Sequence, residues 1–351
     1  MKNKQVASIE NLQKFSTAVL LKVGLTPEQA QIMTDSMILA DLRGVKSHGI
    51  VRLPTYIERI EKGVTVLNAD MKFEKNMGAV ALLNAANGLG QLAGKLAMNE
   101  AIRIARIYGI GMVGVKNSNH FGIASYYTMM ALEQGMIGVA LTNASPAIAP
   151  FGAVDPLFGT NPISVAVPAG SQLPIVLDMS MSVVARGKIR YADLVGEPIP
   201  EGWALDSKGN PTTNPAEALK GSLVPIGGPK GSGLAFIVDI LCGLLTGSSM
   251  IGEVRNVTDT SGPAKTGHVF LAIDIAHFIN LETFTRSMEE TIKRIKSMKS
   301  KNNSPIYMAG EIEFRLTEKL QKEGLPLDED VLESLKRVAE RYNVPLLLKE
   351  N

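Results

Sequence analysis

The sequence of 351 residues contains one cysteine, Cys242, and only four histidines. A single thiol excludes a framework of internal disulfides and fits a reducing, cytoplasmic location. The apolar neighbours of Cys242 favour a core position over a role as a nucleophile. The scarcity of histidine makes each imidazole informative, because histidine is the side chain whose pKa lies nearest neutrality.

Excess charge and long hydrophobic runs are also absent. The formal net charge is +2 and charged residues make up 20% of the chain, which gives no electrostatic footprint for nucleic acid or an anionic membrane. The longest apolar stretches, such as residues 234–245, are interrupted and too short to span a bilayer. The first residues show no apolar segment of a secretory signal. We therefore expect a small-molecule partner, with no nucleic acid and no membrane.

Several catalytic motifs are missing as well. The sequence has no paired-cysteine metal motif, no histidines at metal-ligand spacing with a carboxylate on a helix, and no Gly-x-Ser-x-Gly elbow. These absences disfavour metal-dependent and serine hydrolysis, and we predict no metal site. The chemistry must come from other side chains.

The length and the hydrophobic content of 45% predict a globular protein of about two domains. Residues 9–63 have a helical pattern, and strand and helix patterns alternate from residue 78 onward. Strands are predicted at 78–83, 111–115, 137–142, 163–167, 174–177 and 269–275, and helices at 91–108, 125–134, 233–245, 281–296, 313–323 and 328–341. We predict an α/β fold with a helical domain, 1–72, joined by the returning segment 305–351, and an α/β cofactor-binding domain, 73–304.

Three glycine patterns invite comparison with nucleotide-binding turns. The runs at 88–93 and 109–114 are weak matches, because no acidic residue follows the first at the usual distance and the second lies within a strand. The run at 227–233 precedes an apolar helix and includes Lys230, so it is either an anion-binding loop or simply a turn entering a helix.

Two histidines stand in polar, glycine-marked segments, residues 43–52 and 116–122. His48, Arg52, Tyr56 and Arg59 follow one another at helical spacing, which suits a substrate whose carboxylate binds an arginine while an imidazole exchanges a proton with the neighbouring oxygen. Pro54 would break a helix that began at Ser47. The alternative is a helix that starts at Pro54, with residues 47–53 as an irregular segment before it. A solvated helix face is the competing interpretation for the arginines.

The second histidine, His120, lies between a predicted strand and a predicted helix, where α/β proteins place ligands. Asn143 and Thr160 supply small polar groups at other strand ends, although each also suits an ordinary turn. Asp178 ends a further strand, where it would hold a hydroxyl, orient an imidazolium or cap the following helix.

Taken together, these segments resemble the malate/L-lactate dehydrogenase family, which includes ureidoglycolate, sulfolactate and 2,3-diketogulonate dehydrogenases. The resemblance covers nearly the whole chain. It rests on Ala40-Asp41-Leu42-Arg43-Gly44-Val45-Lys46-Ser47-His48-Gly49 with Arg52 and Tyr56, Asn119-His120-Phe121-Gly122, Phe158-Gly159-Thr160-Asn161-Pro162, Asp178-Met179-Ser180 with Gly187-Lys188, Ile199-Pro200-Glu201-Gly202-Trp203-Ala204, and Pro229-Lys230-Gly231.

The resemblance implies a mixed-sheet nucleotide-binding domain that is not a Rossmann fold, and NAD or NADP as the cofactor. It implies cofactor contacts from Ile175, Val176, Leu177, Asp178, Met179, Ser180, Lys230, Gly231, Gly310 and Glu311. The last contact departs from the family, which commonly has Pro-Gly-Glu where this chain has Ala309-Gly310-Glu311. It also implies homodimers or larger assemblies with sites near subunit interfaces, so that the segment of His48 would meet His120 across two chains.

The predicted activity is hydride transfer between NAD(P) and C2 of a small 2-hydroxy or 2-oxo acid of the malate or lactate type. We assign His48 and His120 to catalysis, without deciding which of them moves the proton, and Ser47, Arg52, Tyr56, Asn143 and Thr160 to substrate binding. The alternatives are a reductase of cyclic imine 2-carboxylates, a ureidoglycolate dehydrogenase, and a non-catalytic binder of nucleotides or small anions.

Overall fold

The computed structural model describes residues 5–349, which contain helical layers on either side of a large sheet. The α-helices are α1 Ile9–Val23, α2 Pro27–Leu42, α3 Leu53–Glu61, α4 Gly90–Tyr108, α5 Ser125–Leu132, α6 Arg186–Val195, α7 Pro215–Lys220, α8 Pro229–Asp239, α9 Leu281–Lys296, α10 Glu311–Glu323 and α11 Glu329–Tyr342. No helix in the described part of the chain is long and apolar enough to cross a membrane.

The strands form one large sheet and two small ones. They are β1 Gln5–Ala7, β2 Lys72–Met77, β3 Val80–Asn84, β4 Ile110–Ser118, β5 Met136–Thr142, β6 Ile163–Val167, β7 Ile175–Met179, β8 Ala204–Leu205, β9 Pro211–Thr212, β10 Ser222–Leu223, β11 Thr266–Asp274 and β12 Leu325–Leu327. The large sheet has the order β2-β3-β4-β11-β5-β6-β7. Within it β3 and β4 run parallel and the other neighbours run antiparallel, which confirms the predicted α/β class with a mixed sheet.

The first and last segments of the chain share one hydrophobic core. Leu12, Phe15 and Val19 of α1 pack in the same buried cluster as Leu332 and Leu335 of α11. Strand β1 pairs with β12 in a two-stranded sheet, which fastens the two ends of the chain together. The C-terminal helices thus close over the N-terminal ones and hold the elements that carry the first histidine.

Sequence periodicity located most elements closely. Strand β6 and helix α9 have the predicted bounds, and Thr26 and Gln29 form the capping box that starts α2. The helix predicted at 233–245 is wrong at both ends, because α8 begins at Pro229 and passes into a π-helix over Ile240–Leu244. Strand β2 was missed, since its side chains are exposed and show no alternating pattern.

Candidate active site

The first histidine lies in an irregular segment that links α2 to α3. Two short 3-10 turns, Lys46–His48 and Ile50–Arg52, precede α3, which begins at Leu53 with Pro54 in its first turn. This confirms the alternative in which the helix starts near Pro54 rather than at Ser47. A proline suits the first turn because its missing N–H would have no partner there.

A buried carboxylate holds this segment in place through a hydrogen bond to its backbone. Asp41 of α2 accepts a hydrogen bond from the backbone N–H of Ile50 at 2.7 Å. A Cβ atom on Gly49 would lie 1.9 Å from the Asp41 carboxylate, so only glycine permits this approach. Burial raises the pKa of Asp41 to about 7. Asp41 belongs to the motif shared with the family, but its supporting role was not predicted.

The second histidine follows β4 and is fixed by helix α4. A Cβ atom on Gly90, the first residue of α4, would lie 2.3 Å from the carbonyl oxygen of Asn119 and 2.5 Å from that of His120. The glycines at 88–93 therefore have a packing role here, in which the helix end approaches the histidine loop closely. The neighbouring Asn119 donates from its side-chain amide to the carbonyl oxygen of Gly88 at 2.8 Å.

Arg59 supports the same loop. Its guanidinium donates to the Asn119 side-chain oxygen at 3.1 Å and to the backbone carbonyl of Asp259 at 2.5 Å. The side chain is only 2% exposed, so the interpretation of Arg59 as part of a solvated helix face is wrong. Arg59 holds the loop of His120 in place and its hydrogen bonds are made within the protein.

These segments bring His48 and His120 together within one chain. The two imidazole rings stack with their centroids 5.1 Å apart. The expectation that they would meet across two chains is therefore wrong. The ring of His48 has its Nδ1 atom 2.8 Å from the Ser47 hydroxyl, and His120 has its Nδ1 atom 2.8 Å from the Tyr56 hydroxyl. In both rings Nε2 is the nitrogen left for a ligand.

The environment keeps both imidazoles neutral. Burial, and after it the positive charge of Arg52, lower the pKa of His48 from 6.5 to about 4. Burial also lowers the pKa of His120 well below 6.5, with smaller contributions from His48 and Arg52. Burial raises the pKa of Tyr56, so its hydroxyl stays protonated at neutral pH. The site thus contains neutral bases beside a permanent cation, an arrangement that can accept a proton from an anionic substrate.

Arg52 is held by one atom and free at its terminus. Its Nε donates to the backbone carbonyl of Ser47 at 2.6 Å. Among residues 5–349, its terminal nitrogens have no hydrogen bond or ion pair, which leaves the planar end of the guanidinium available to a carboxylate. The structure therefore brings together four of the predicted site residues around His120: Ser47, His48, Arg52 and Tyr56.

The other predicted substrate-binding residues lie in a different network. The side-chain amide of Asn143 donates to Asp239 at 3.2 Å and to the carbonyl of Ser249 at 2.7 Å, and its oxygen accepts from the N–H of Gly267 at 2.9 Å. These bonds join the end of β5 to α8 and β11. Thr160 accepts from the N–H of Met181 through its backbone carbonyl, which places it beside the end of β7.

Two of the predicted cofactor segments are adjacent. The N–H of Val176 in β7 donates to the carbonyl of Ala309 at 2.9 Å. Gly310 has φ +86°, and a Cβ atom there would lie 2.8 Å from the Val176 carbonyl oxygen. The next residue, Glu311, is buried and pairs with Lys296 at 2.7 Å and Arg315 at 2.6 Å. The strand end and the C-terminal segment thus form one edge of the molecule.

Asp178 caps a helix, although not the following one that the sequence suggested. Its carboxylate accepts from the N–H of Ser125, the first residue of α5, at 2.9 Å. The alternating direction of peptide groups along a strand turns the backbone of Asp178 the same way as that of Val176, toward the outer edge of β7. The outward N–H of Val176 is bonded to the Ala309 carbonyl, so the C-terminal segment covers this part of the β7 edge.

The glycine run at 227–233 is the entry to α8, with Pro229, Lys230 and Gly231 already in its first turn. Gly231 packs against backbone, because a Cβ atom there would lie 2.1 Å from the Ile226 carbonyl oxygen. Lys230 is exposed at the helix N-terminus. The turn interpretation is therefore confirmed for the backbone, and anion binding by Lys230 stays a prediction.

Gln91 is a further residue that sequence reasoning missed. Its side chain is buried, and its Nε2 atom has no hydrogen-bond partner within residues 5–349. It lines a small cavity together with Tyr56 and His120. Gln91 belongs to the glycine run at 88–93. The only feature of the sequence that could have indicated a role in the site is a polar side chain at the start of an apolar helix.

Comparison with known proteins agrees with this geometry. Residues 7–336 match the family model of malate/L-lactate dehydrogenase. A malate/(S)-sulfolactate dehydrogenase of Methanothermus fervidus is 40% identical over 341 residues, covering 97% of this chain and 99% of the relative. A malate dehydrogenase of Pyrococcus abyssi is 42% identical, covering 95% and 94%. The solved sulfolactate dehydrogenase from Methanocaldococcus jannaschii has a TM-score of 0.92 at 38% identity, covering 97% and 98%.

Two further relatives have names that state the cofactor. A (2R)-3-sulfolactate dehydrogenase (NADP(+)) of Chromohalobacter salexigens is 39% identical over 78% of this chain and 82% of the relative, and a ureidoglycolate dehydrogenase (NAD(+)) of Escherichia coli is 31% identical over 93% and 94%. The resemblance seen in the sequence is thereby confirmed. The chain belongs to the malate/L-lactate dehydrogenase family, a family of NAD(P)-dependent 2-hydroxy acid dehydrogenases.

Proposed function

We propose that this enzyme transfers a hydride between NAD(P) and C2 of a small 2-hydroxy or 2-oxo acid, with His48 and His120 as the proton-transfer pair. The observation that carries the proposal is the stack of two neutral imidazoles beside the free end of Arg52. Arg52 binds the substrate carboxylate in two-point fashion, which sets the C2 oxygen next to an imidazole Nε2. The histidine accepts the hydroxyl proton during oxidation and returns it during reduction.

Tyr56 and Ser47 position the two bases. Each hydroxyl engages the Nδ1 atom of one ring, so each ring presents Nε2 to the substrate in a fixed orientation. Asn143 and Thr160 stay proposed substrate contacts, from the end of β5 and the segment before β6. In our proposal the chain's own groups bind the carboxylate, orient the C2 oxygen and exchange its proton.

The residues of the β7 edge fit a bound nicotinamide nucleotide. The cofactor supplies the hydride acceptor or donor. Residues 175–180 and the neighbouring Gly310 and Glu311 would hold it, together with Lys230 and Gly231 at the N-terminus of α8, a position that suits phosphate groups. The largely antiparallel order of the sheet supports a nucleotide site that differs from a Rossmann turn.

We further propose that the protein is a cytoplasmic homodimer. We keep the predicted division into a helical domain, 1–72 with 305–351, and a cofactor-binding domain, 73–304. Helix α8 and the π-helix after it expose Leu234, Ile237, Leu244 and Leu245, each at least half exposed. A run of large apolar side chains on one surface helix supports association with a second copy. The buried free thiol of Cys242 supports a reducing location. Light scattering of the purified protein measures the mass of the assembly directly.

Substrate profiling tests the activity. NADH and NADPH oxidation is followed with oxaloacetate, pyruvate, other 2-oxo acids, and a cyclic imine 2-carboxylate. Turnover of a 2-oxo acid supports the proposal. Turnover of the imine alone would identify the enzyme as an imine reductase in which Arg52 binds the carboxylate. Turnover of neither class would overturn the proposed function.

A further inference from the structure

We propose that Gln91 is a positioning residue for the proposed proton transfer. Its side-chain amide donates toward the Tyr56 hydroxyl oxygen and thereby directs the Tyr56 O–H onto Nδ1 of His120. His120 is then held in the tautomer that carries its proton on Nε2, the nitrogen left for the substrate. This inference rests on the proposed function of the site, and it adds a residue that acts through Tyr56 rather than on the substrate itself.

Gln91 is the second residue of α4, at the helix end that approaches the His120 loop. Its side chain is only 1% exposed, and its Nε2 atom has no hydrogen-bond partner among residues 5–349. The side chain points into a small cavity that Tyr56 and His120 also line. A buried donor without a partner is unfavourable, so this amide is available to an acceptor in the cavity.

The hydrogen bonds at His120 fix the direction in which the Tyr56 hydroxyl donates. The N–H of Gly122 lies 3.3 Å from Nδ1 of His120, and because a backbone N–H can only donate, Nδ1 carries no proton. The Tyr56 hydroxyl, 2.8 Å from the same nitrogen, therefore donates to it as well. With its one proton used in this way, the Tyr56 oxygen is left as an acceptor.

Gln91 is the donor best placed to serve that oxygen. Burial raises the pKa of Tyr56, and the Gln91 amide opposes this rise, as an N–H does when it points toward the phenolic oxygen. Arg59 also lines the cavity, but its guanidinium is bonded to Asn119 and Asp259. The chain of donors thus runs from Gln91 through Tyr56 to the imidazole.

The contact between Gln91 and Tyr56 falls short of a fully formed hydrogen bond. Hydrogen bonds that serve a reaction are often long or poorly aligned before the substrate binds, and they tighten in the complex. A substrate oxygen that accepts from Nε2 makes Nδ1 of His120 a better acceptor, and a stronger bond from Tyr56 makes the phenolic oxygen a better acceptor in turn. We therefore expect substrate to draw the Gln91 amide into the chain.

Gln91→Met removes the amide and keeps the length of the side chain. We expect it to lower kcat for the reduction of 2-oxo acids by about 10-fold, the effect of one hydrogen bond, with little change in the cofactor KM. The melting temperature should stay level or rise, because an apolar group of similar shape replaces an unpaired buried donor. A residue needed only for packing would lose stability together with activity.

The double variant with Tyr56→Phe tests the route of the effect. If Gln91 acts through Tyr56, Gln91→Met lowers kcat no further once the hydroxyl is gone. Additive losses would show that Gln91 acts independently of Tyr56 and would overturn the proposal. Gln31→Met is the matched control, because it makes the same change on the exposed face of α2, where Gln31 donates to Asp35 at 2.7 Å. Its kcat should stay within about 2-fold of the wild-type value.

NMR of ¹⁵N-labelled histidine reads the tautomer without any turnover. The chain has only four histidines, and His120→Gln identifies the signals of His120. In the wild type the two ring nitrogens should show one tautomer, with the proton on Nε2. In Gln91→Met they should move toward a mixture of tautomers, because the Tyr56 hydroxyl is then free to turn. Unchanged signals would mean that Gln91 has no part in orienting the ring.

The outcomes keep this proposal separate from the proposed function. If the wild-type enzyme reduces no 2-oxo acid with either cofactor, the dehydrogenase assignment fails, and the tautomer measurement still decides the role of Gln91. If the wild-type enzyme reduces a 2-oxo acid but Gln91→Met leaves its kcat or the tautomer unchanged, the role of Gln91 is wrong while the dehydrogenase assignment stands. A lower kcat together with a shifted tautomer, and no further loss in the Tyr56→Phe background, supports the proposal.

Discussion

The hydroxyl of Tyr56 lies 2.8 Å from Nδ1 of His120, although one residue belongs to α3 and the other to the loop after β4. The N–H of Gly122 also approaches this nitrogen, at 3.3 Å. His120 is therefore held at Nδ1 from two sides while its face stacks on His48. Because Nδ1 accepts from the Gly122 N–H, the neutral ring carries its proton on Nε2, from which it can be donated to a substrate oxygen without reorienting the ring.

Removing the tyrosine hydroxyl tests this restraint. We expect Tyr56→Phe to lower kcat by about 10- to 100-fold, because His120 loses its orienting partner but stays in place. The KM for the cofactor should change little, since the predicted cofactor contacts lie on β7 and the C-terminal segment. Steady-state rates and the pH profile are measured together.

Tyr342→Phe is the matched control, because it removes a hydroxyl that is bonded to Glu61 at the protein surface. Its kcat should stay within about 2-fold of the wild-type value. Equal rates for Tyr56→Phe and the wild type would show that the contact with His120 has no role in turnover.

The depressed histidine pKa predicts the acid limb of the rate profile. Oxidation of a 2-hydroxy acid needs a neutral base, and His48 becomes protonated only near pH 4 rather than 6.5. In the free enzyme, kcat/KM limited by this base should stay level as the pH falls through 6.5, and should decrease only as it approaches 4. A profile that bends near 6.5 would contradict the neutral, buried site.

Arg52→Met tests the cause of that shift. Burial remains in this variant, but the positive charge that lowers the pKa of His48 is removed, so its pKa should move upward toward 6.5. Titration of the imidazole protons by NMR follows the change, with His48→Gln assigning the resonance. An unchanged pKa would mean that burial alone accounts for it.

Pattern reasoning found the separate parts of the site but not how they meet. The spacing of His48, Arg52 and Tyr56 indicated a carboxylate site because helical periodicity is local and readable. The stack of His48 on His120 depends on packing between distant elements, which no local pattern encodes. For the same reason the role of Asp41 could not be predicted. Its carboxylate reaches the backbone N–H of Ile50 because Gly49 has no side chain to block the approach.

The glycine runs show why such sequence matches are weak evidence for a nucleotide site. A string such as Gly88-Leu89-Gly90 has the same appearance whether the backbone approaches a phosphate or another loop. In this structure Gly90 meets the carbonyl groups of Asn119 and His120.

The contact at Gly90 predicts a linked loss of stability and activity. A methyl group there would overlap the His120 carbonyl oxygen, at 2.5 Å, and force the loop to move. We expect Gly90→Ala to destabilise the protein by about 1–3 kcal/mol and to lower kcat. Gly233→Ala is the control for stability, because a Cβ atom at Gly233 in α8 meets nothing within 4 Å. Melting temperatures that rank the two variants equally would refute the close approach.

The buried carboxyl of Asp41 predicts how stability depends on pH. Its pKa is about 7 in the folded protein and 3.8 when unperturbed, so between these values the folded chain binds the proton and the unfolded chain releases it. The contribution of Asp41 to stability therefore falls as the pH rises from about 4 to about 7, by roughly 4 kcal/mol. Asp41→Asn keeps an acceptor for Ile50 but cannot ionise, so this part of the pH dependence should vanish.

Urea unfolding of the wild type and Asp41→Asn at pH 5 and pH 7.5 measures the difference. The variant should gain stability relative to the wild type at the higher pH, because the wild type must then keep a buried charge. Asp206→Asn is the control, since Asp206 is only partly buried and the N–H of Asn210 lowers its pKa, which reverses the sign of the effect. A parallel pH dependence for the wild type and Asp41→Asn would show that the Asp41 carboxyl ionises in the folded protein as it does in water.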